Sequence, residues 1–240
     1  MSIFPFELVN VNSEISKYDD SLFILFEPQV LWDISLEPGK TKDPKEIRTY
    51  LPENPSLIDN FRQNGVLSFH YYDEFNTGHA NLTPQNMEEY KAALKEIFIQ
   101  LSLAATKRSL IPFLTEFGAY QESRQVRECL NIALNQIESN FLNFTIWNYN
   151  LYNTEEGKDN WNYENFSLLG PNRKPRNLDV VARPYPMRSS AEPSVIFFDI
   201  DSKHASIMLK GEVCEAPTII YIPYDMHYSP EFTAGPLVMK

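Results

Sequence analysis

The order of apolar and polar positions between residues 21 and 149 predicts strands that alternate with helices. Four short runs rich in apolar residues have the length of buried strands: residues 21–26, 66–72, 110–115 and 143–149. Between the later runs, apolar residues recur every three or four positions, which is typical of amphipathic helices at residues 83–104 and 123–140. Strands that alternate with helices indicate an α/β protein with a parallel sheet, and four such units amount to half of an eight-stranded barrel.

The pattern changes beyond this region. Residues 150–183 are polar and contain several prolines, and we expect them to form an ordered loop across the mouth of the barrel. After residue 183 there is no helical period, and short β-rich runs separated by turns predict a small antiparallel β module: residues 195–200, 205–209, 218–222 and 233–239. We therefore place a domain boundary between residues 182 and 183. Nearer the N-terminus, a long loop is predicted at residues 29–54, followed by a short helix capped by Ser56.

Composition narrows the classes of partner. The chain has 21 Lys and Arg residues against 32 Asp and Glu residues, and its net charge is −11. This charge argues against nucleic acid or an anionic membrane as the main partner. The two cysteines, Cys129 and Cys214, lie far apart and match no metal-binding spacing, and Cys129 falls on the apolar face of the second predicted helix. No apolar run approaches the length of about 18 residues that a membrane span needs.

Candidate chemistry lies where the predicted strands end. Glu116 follows the third apolar run, and an acid at the end of a buried strand is costly unless it has a purpose. The carboxyl ends of parallel strands are where such folds usually place their chemistry, although Glu116 could instead form an ion pair with a neighbouring loop. His70 and Tyr72 end the second run and project to the same side, and Trp147 ends the fourth.

These strand ends carry motifs that resemble glycoside hydrolase family 5, most closely its endoglycoceramidase and glucosylceramidase branch. Residues 69–73 (Phe-His-Tyr-Tyr-Asp), 112–118 (Pro-Phe-Leu-Thr-Glu-Phe-Gly) and 146–149 (Ile-Trp-Asn-Tyr) resemble the sixth, seventh and eighth barrel strands of that branch. Residues 159–167 continue the likeness beyond the eighth strand. The junction at residues 183–186 and the β-rich segments after it resemble the C-terminal β-sandwich of the same branch.

The resemblance implies a fold and a set of roles. The chain would be the second half of a (β/α)8 TIM barrel, strands five to eight, at residues 1–182, followed by a β-sandwich domain at residues 183–240. Glu116 would be the catalytic nucleophile of a retaining β-glycosidase, and His70, Tyr72 and Trp147 would contact the substrate. Tyr72 would hydrogen-bond Glu116, and Trp147 would stack beneath the sugar, unless it is a core tryptophan. His70 would fix a neighbouring side chain, or would be a satisfied histidine at a strand end. No metal or organic cofactor is implied.

One motif of the family is missing. Its acid/base is a Glu in an Asn-Glu-Pro motif at the end of the fourth strand, and Asn-Glu-Pro does not occur in this sequence. Glu27, in the sequence Phe26-Glu27-Pro28, is a candidate substitute, but it ends the strand that resembles the fifth. Glu27 could equally be a structural acid or one that lines the mouth of the barrel.

Three functions are therefore open. The first is a retaining β-glycosidase that cleaves glycosphingolipids, impaired here by the missing acid/base. The second is a non-catalytic remnant that binds glycans or glycolipids, and the third is a family 5 endoglucanase acting on polysaccharide. A half barrel exposes its edge strands. We therefore expect a fragment of a longer protein, or a chain completed by a separate N-terminal half or by a second copy. Peripheral contact with membrane lipid would accompany a glycolipid substrate. The N-terminal residues lack the basic region of a signal peptide, and relatives are typically secreted or lysosomal, so the compartment is not indicated.

Overall fold

Four parallel strands form the central sheet of the structure, a computed structural model that describes residues 15, 17–19, 21–27, 64–212, 215–228 and 235. Within these residues the sheet order is β1-β2-β3-β4, and every neighbouring pair is parallel. The strands are β1 (Ile24–Phe26), β2 (Gly65–Tyr71), β3 (Ile111–Phe117) and β4 (Asn143–Phe144). The parallel α/β sheet predicted from the alternating pattern is confirmed. The predicted loop at residues 29–54, the helix after Ser56 and the strand at residues 233–239 lie outside the described residues.

Two of these strands differ from the sequence prediction. The first run was expected to be buried, but the side chains of Phe23 and Leu25 are 60% and 49% exposed, because β1 is an end strand that pairs only with β2 in the described sheet. The fourth strand is regular over two residues only. Beyond it the backbone still bonds to β3, because Thr145 N–H donates to the Leu114 carbonyl at 2.9 Å and Trp147 N–H donates to the Phe117 carbonyl at 2.8 Å.

Two amphipathic helices cover one face of this sheet: α1 (Met87–Thr106) and α2 (Arg124–Ser139). Helix α1 begins later than the predicted Thr83, because the Asn86 side chain accepts the Thr83 N–H at 2.7 Å and forms a turn there first. Helix α2 begins as predicted, with Ser123 Oγ accepting the Val126 N–H at 3.1 Å. Phe141 was expected on the apolar face of α2. It lies past the end of the helix in a left-handed conformation (φ 53°) and is 41% exposed.

The core lies between the sheet and these two helices. Cys129 is fully buried there, and burial raises the pKa of its thiol to about 12, so it behaves as the small hydrophobic residue that the sequence predicted. The other large, fully buried members come from β2, β3, α1 and α2: Phe69, Tyr71, Leu94, Phe98, Leu101, Leu114, Phe117, Leu130, Leu134 and Ile137. The core therefore fixes β2 and β3, the two strands whose ends carry His70 and Glu116.

The C-terminal part is β-rich, as predicted. After the short helix α3 (Leu178–Val181), β5 (Tyr185–Arg188) pairs with β8 (Ile219–Tyr221), and β6 (Glu192–Asp199) pairs with β7 (His204–Lys210), both antiparallel. The sequence analysis did not predict β5, which contains Pro186 and pairs with only three residues of β8. Among the described residues, no helix has the length and apolar character needed to cross a membrane.

Arg183 connects this β-rich part to the sheet and helices. Its guanidinium is almost fully buried and donates to Glu138 of α2 at 2.7 Å and to the Phe198 carbonyl of β6 at 3.0 Å. The side-chain oxygens of Asn131 and Asn135 accept two further N–H groups of this guanidinium. Burial raises the pKa of Glu138, and the adjoining Arg183 charge opposes that rise. One arginine therefore joins the two regions through a buried ion pair.

Candidate active site

A bulge in β3 brings His70 and Glu116 side by side. The pairing of β2 with β3 runs in register from Val66 opposite Ile111 to Phe69 opposite Leu114, and then His70 lies opposite Glu116. Thr115 is thus the extra residue on β3, and its hydroxyl donates to the Phe69 carbonyl at 3.3 Å. Bulges near strand ends commonly redirect side chains at functional sites. Here the bulge makes a carboxylate and an imidazole direct neighbours at the carboxyl edge of the sheet.

Glu116 is held by two side chains from the end of β2. The Tyr72 hydroxyl donates to Glu116 Oε1 at 2.8 Å, and His70 Nε2 lies 3.5 Å from Glu116 Oε2. The same His70 nitrogen lies 3.0 Å from Glu27 Oε2, which follows β1. The carboxylates that follow β1 and end β3 therefore both approach the same ring nitrogen of His70, at the end of β2.

The accessibility of these groups suits a site that a ligand can reach. The side chains of Glu27, His70 and Glu116 are 33%, 28% and 26% exposed, so each is largely buried yet open to solvent on one side. Burial is the main cause that raises the pKa of Tyr72, and its hydrogen bond to Glu116 raises it further. Tyr72 therefore stays protonated throughout the physiological pH range, and its hydroxyl donates a hydrogen bond to the carboxylate of Glu116.

Trp147 stands beside Gly118 at the end of β3. The Trp147 side chain is half-buried, not part of the closed core, and the peptide bond that follows it is cis. A Cβ added to Gly118 would lie 2.0 Å from the Trp147 carbonyl oxygen, far inside van der Waals contact. Only glycine fits there, because the chain that carries Trp147 passes directly over the end of β3. The Gly118 of the Glu116-Phe117-Gly118 motif thus has a steric role in placing Trp147.

Glu164 is a third acid at this edge that sequence analysis did not single out. The indole Nε1–H of Trp147 donates to Glu164 Oε2 at 2.9 Å. The negative charge of Glu164 also contributes to the raised pKa of Tyr72. This carboxylate therefore interacts with both Trp147 and Tyr72. Glu164 lies within residues 159–167, whose sequence had been noted, but no spacing marks it because it stands in an irregular loop. Its contact with Trp147 depends on tertiary structure alone.

The loop that carries Glu164 is fixed by a buried carboxylate, Asp159. One Asp159 oxygen accepts the backbone N–H groups of Phe166 and Ser167 at 2.6 and 3.1 Å, and the other accepts from the Asn153 amide at 2.6 Å. Arg176 donates to the Ser167 carbonyl from two nitrogens, at 2.9 and 2.6 Å. This bonding confirms an ordered loop in residues 150–183, as the sequence predicted.

A second buried carboxylate, Asp73, supports the end of β2. It accepts hydrogen bonds from the hydroxyls of Tyr71 and Tyr90 at 2.7 and 3.0 Å and from the Asn76 backbone at 2.7 Å. Burial raises the pKa of Asp73, and these donors oppose the rise. Because Asp73 directly follows Tyr72, this network fixes the backbone from which the Tyr72 side chain reaches Glu116. The sequence offered one signal for it, an acid immediately after a strand.

The five residues named from the sequence thus have distinct positions. Glu27, His70, Tyr72 and Glu116 form one connected set of contacts, including Glu27, which the sequence left open. Trp147 flanks this set and bonds to Glu164. We define these five residues together with Glu164 as the strand-end site.

Comparison with known proteins identifies proteins that are similar to part of this chain in sequence or in fold. No protein-family model matches the chain. A glucosylceramidase of Rhizopus delemar is 28% identical over 116 residues, which cover 38% of this chain and 17% of that protein. The endo-glycoceramidase II of a Rhodococcus species, solved as a lactosyl-enzyme intermediate, aligns with 92% of this chain and 44% of its own, at a TM-score of 0.60 and 14% identity. Sterylglucosidase 1 of Cryptococcus neoformans aligns with 59% of this chain and 25% of its own, at a TM-score of 0.52 and 21% identity.

These proteins are glycosidases, and the resemblance to the endoglycoceramidase and glucosylceramidase branch of glycoside hydrolase family 5 is confirmed. The structural neighbours share the α/β fold with its parallel sheet. In each comparison the match spans less than half of the relative's own length.

Proposed function

We propose that this chain is the C-terminal half of the barrel of a retaining β-glycosidase, with Glu116 as nucleophile and a glycosphingolipid as substrate. In this proposal β1 to β4 are the fifth to eighth strands of a (β/α)8 barrel at residues 1–182, and residues 183–240 are a β-sandwich domain. The order β1-β2-β3-β4 in a parallel sheet supports the first assignment. The two antiparallel pairs after Arg183 support the second. The glycolipid substrate rests on the likeness to glucosylceramidase and endo-glycoceramidase.

The observation that carries the proposal is the shared contact of Glu116 with Tyr72 and His70. A nucleophilic carboxylate must be aimed at the anomeric carbon, and the Tyr72 hydroxyl that donates at 2.8 Å holds the orientation of Glu116. His70 Nε2 lies within 3.5 Å of both Glu116 and Glu27, which keeps the two acids near each other. A retaining glycosidase needs its two carboxyls about 5 Å apart, whereas an inverting one separates them by about 6.5–9.5 Å. The retaining mechanism in this proposal rests on the family resemblance, and the contact of both acids with one nitrogen is consistent with it.

The proposed reaction has two steps. A Glu116 oxygen attacks the anomeric carbon of the sugar, the bond from that carbon to the aglycone oxygen breaks, and its electron pair leaves with the aglycone. A carboxylic acid protonates the departing oxygen and then, as a carboxylate, removes a proton from the water that releases the sugar. We assign Glu27 as the candidate for this acid, supported by its contact with His70 at 3.0 Å. The half-buried ring of Trp147 would form an apolar platform for the sugar.

The half barrel also defines the partners that we propose. In the described sheet β1 and β4 are end strands, and each would pair with a strand of a missing N-terminal half or of a second copy of the chain. A glycolipid substrate would bring the protein into peripheral contact with membrane lipid.

The test uses the full chain and an activated aryl 2-deoxy-2-fluoro-β-glucoside. Its good leaving group removes the need for an acid, and its fluorine slows release of the sugar from the enzyme. Peptide mass spectrometry should find one added fluorosugar on Glu116, and none in Glu116→Gln. The matched control Glu122→Gln changes an exposed acid and should be labelled like the wild type.

A second arm tests the acid. With the activated glucoside, Glu27→Gln should label at nearly the wild-type rate, whereas hydrolysis of an unactivated glucoside should fall by about 10²–10⁴-fold if Glu27 is the acid. A folded chain that binds β-glucosides but forms no adduct would replace this proposal with a non-catalytic glycan-binding protein. Faster cleavage of cellulose oligomers than of glucosylceramide would favour an endoglucanase.

A further inference from the structure

Glu164 has no part in the reaction described above, yet its carboxylate faces the same edge of the sheet. One oxygen, Oε2, accepts the Trp147 indole N–H at 2.9 Å. A carboxylate offers about four acceptor positions on its two oxygens, and one indole N–H fills only one of them. The side chain is half-buried, so part of it still reaches solvent.

The position of Glu164 is fixed from both sides of the chain. Its N–H donates to the Trp161 carbonyl at 2.8 Å, and its carbonyl accepts the Asp159 N–H at 2.9 Å. Two residues later, the Phe166 ring packs edge-on against the rings of Tyr72 and Tyr120, each with a centroid separation of 5.3 Å. The carboxylate is therefore carried by a stretch of chain that is bonded and packed in place, and not by a free loop tip.

Glu164 and Glu116 act on the same phenol. Both carboxylates contribute to the raised pKa of Tyr72, whose hydroxyl donates to Glu116 Oε1 at 2.8 Å. Positioning Trp147 alone would not require a charge, because a glutamine carbonyl accepts an indole N–H equally well.

The geometry of the indole suggests which ligand uses the charge. Glu164 lies at the Nε1 edge of the ring, approximately in the ring plane, because it accepts the N–H bond directed there. A pyranose stacked on the ring face directs its equatorial hydroxyls outward past the ring edges. A hydroxyl that reaches the Nε1 edge meets a carboxylate, and such O–H···O⁻ bonds are about twice as strong as neutral ones.

We propose that Glu164 is a sugar-binding residue that accepts a hydrogen bond from an equatorial hydroxyl of the pyranose stacked on Trp147. The hydroxyl is one remote from the anomeric carbon, because the anomeric carbon itself must lie against Glu116. This assignment rests on the proposed function, since it takes Trp147 as the sugar platform. Glu164 thereby selects sugars by the configuration of that hydroxyl, separately from the chemical step.

The test is a cycle between one substitution and one ligand atom. Binding of methyl β-D-glucoside and of its 3-, 4- and 6-deoxy analogues to the full chain is measured by ligand-observed NMR titration, for the wild type and for Glu164→Gln. The substitution keeps an acceptor for Trp147 but replaces the second oxygen with an amide donor and removes the charge. We expect the parent glucoside to bind about 10- to 100-fold more weakly to Glu164→Gln, which is the range for a lost hydrogen bond to a charged group.

The cycle identifies the contact. For the deoxy analogue that lacks the contacted hydroxyl, the affinity of the wild type should be as low as the affinity of Glu164→Gln for the parent glucoside. The affinity for this analogue should not fall further in Glu164→Gln. Glu156→Gln, an exposed acid in the same loop, is the matched control and should bind like the wild type. The Trp147 indole N–H resonance of Glu164→Gln should remain near its wild-type position, because its acceptor is retained.

The outcomes separate this inference from the proposed function. Equal losses for the parent and all three analogues, or no loss at all, overturn the role of Glu164, while labelling of Glu116 by the activated fluoroglucoside would still stand. If the wild type binds none of the four sugars and forms no adduct, the proposed function and this inference fall together. Labelling of Glu164→Gln at saturating fluoroglucoside is expected, because Glu164 does not form or break a bond.

Discussion

Replacing Arg183 with methionine should destabilise the contact between the β-rich part of the protein and its sheet and helices. Arg183 is almost fully buried, and it is the charged partner of Glu138, whose side chain is only 9% exposed. Methionine fills a similar volume but offers no donor. The substitution therefore leaves a buried carboxylate without its counter-charge, and it also removes the donor to the Phe198 carbonyl.

The magnitude follows from these contacts. Removing one partner of a buried ion pair usually costs about 3–5 kcal/mol, because the remaining charge is still desolvated. Replacing both partners with apolar side chains is often close to neutral. We therefore expect Arg183→Met to lower the free energy of unfolding by about 3–5 kcal/mol, and the double variant Arg183→Met, Glu138→Met to recover most of that loss. Arg183→Lys keeps the charge without the forked donors and should fall between the wild type and Arg183→Met.

The assay is urea unfolding followed by tryptophan fluorescence, repeated from pH 7 to pH 5. In Arg183→Met nothing opposes the effect of burial on Glu138, so its folded pKa lies well above the ordinary value of 4.5. The folded state then binds the proton more tightly than the unfolded state does. The deficit of the single variant relative to the double variant should accordingly shrink as the pH falls through that raised pKa.

Two results would refute this reasoning. A loss below about 1 kcal/mol in Arg183→Met would mean that the ion pair is solvated and does not hold the regions together. A deficit that stays constant from pH 7 to pH 5 would mean that the destabilisation does not come from the Glu138 charge.

The remaining predictions concern the strand-end site. Gly118→Ala should displace Trp147, because the new Cβ would lie 2.0 Å from the Trp147 carbonyl oxygen. We expect an altered near-UV circular dichroism spectrum and loss of sugar binding. An unchanged spectrum with normal binding would contradict the steric role of Gly118. Tyr72→Phe removes the 2.8 Å donor to Glu116 and should slow labelling by the activated fluoroglucoside about 10- to 100-fold, the range for a lost hydrogen bond to a charge. Tyr152→Phe, at a ring that is 76% exposed, is the matched control and should label like the wild type; equal rates in all three proteins would remove Tyr72 from the site.

The sheet and its two helices were predictable because each depends on short-range pattern. The apolar stripe of α2 and its Ser123 cap lie within a single stretch of chain, and β2 and β3 are short apolar runs with polar ends. The contact of Tyr72 with Glu116 was expected from the family resemblance and not from the apolar pattern, and the structure contains it. The apolar pattern cannot predict how exposed a strand's side chains are, because their exposure depends on which other parts of the protein pack against that strand. The first run, including Leu25, was expected to be buried for this reason and is not.

The loop contribution to the site could not be predicted for a different physical reason. The Glu164 side chain accepts a hydrogen bond from Trp147 in a loop that is held by tertiary contacts. Asp159 accepts the backbone N–H of Phe166, and the Phe166 ring packs against Tyr72. Those contacts join residues without any periodic spacing. The sequence offered one signal, which was an acid, Asp159, among several asparagines in a loop. Such a composition indicates that the loop is ordered, but it does not indicate which side chains the loop brings to the site. The bulge at Thr115 was hidden in the same way, since nothing in an apolar run shows which residue will be left unpaired.

The exposure of β1 at the end of the sheet and the exposure of the acids Glu27 and Glu116 to water are connected. Phe23, which precedes β1, and Leu25 within it are 60% and 49% exposed, and Glu27 follows directly from that strand with a third of its side chain in water. Water at Glu27 weakens its interaction with His70, because charges interact more strongly as the surrounding dielectric falls. A chain that paired with β1 and covered its apolar side chains would also exclude water from Glu27. Closing the sheet and strengthening the contacts between Glu27, His70 and Glu116 would then be a single event. On this argument, if the proposed half barrel is correct, a chain that pairs with β1 would also strengthen the proposed catalytic contacts.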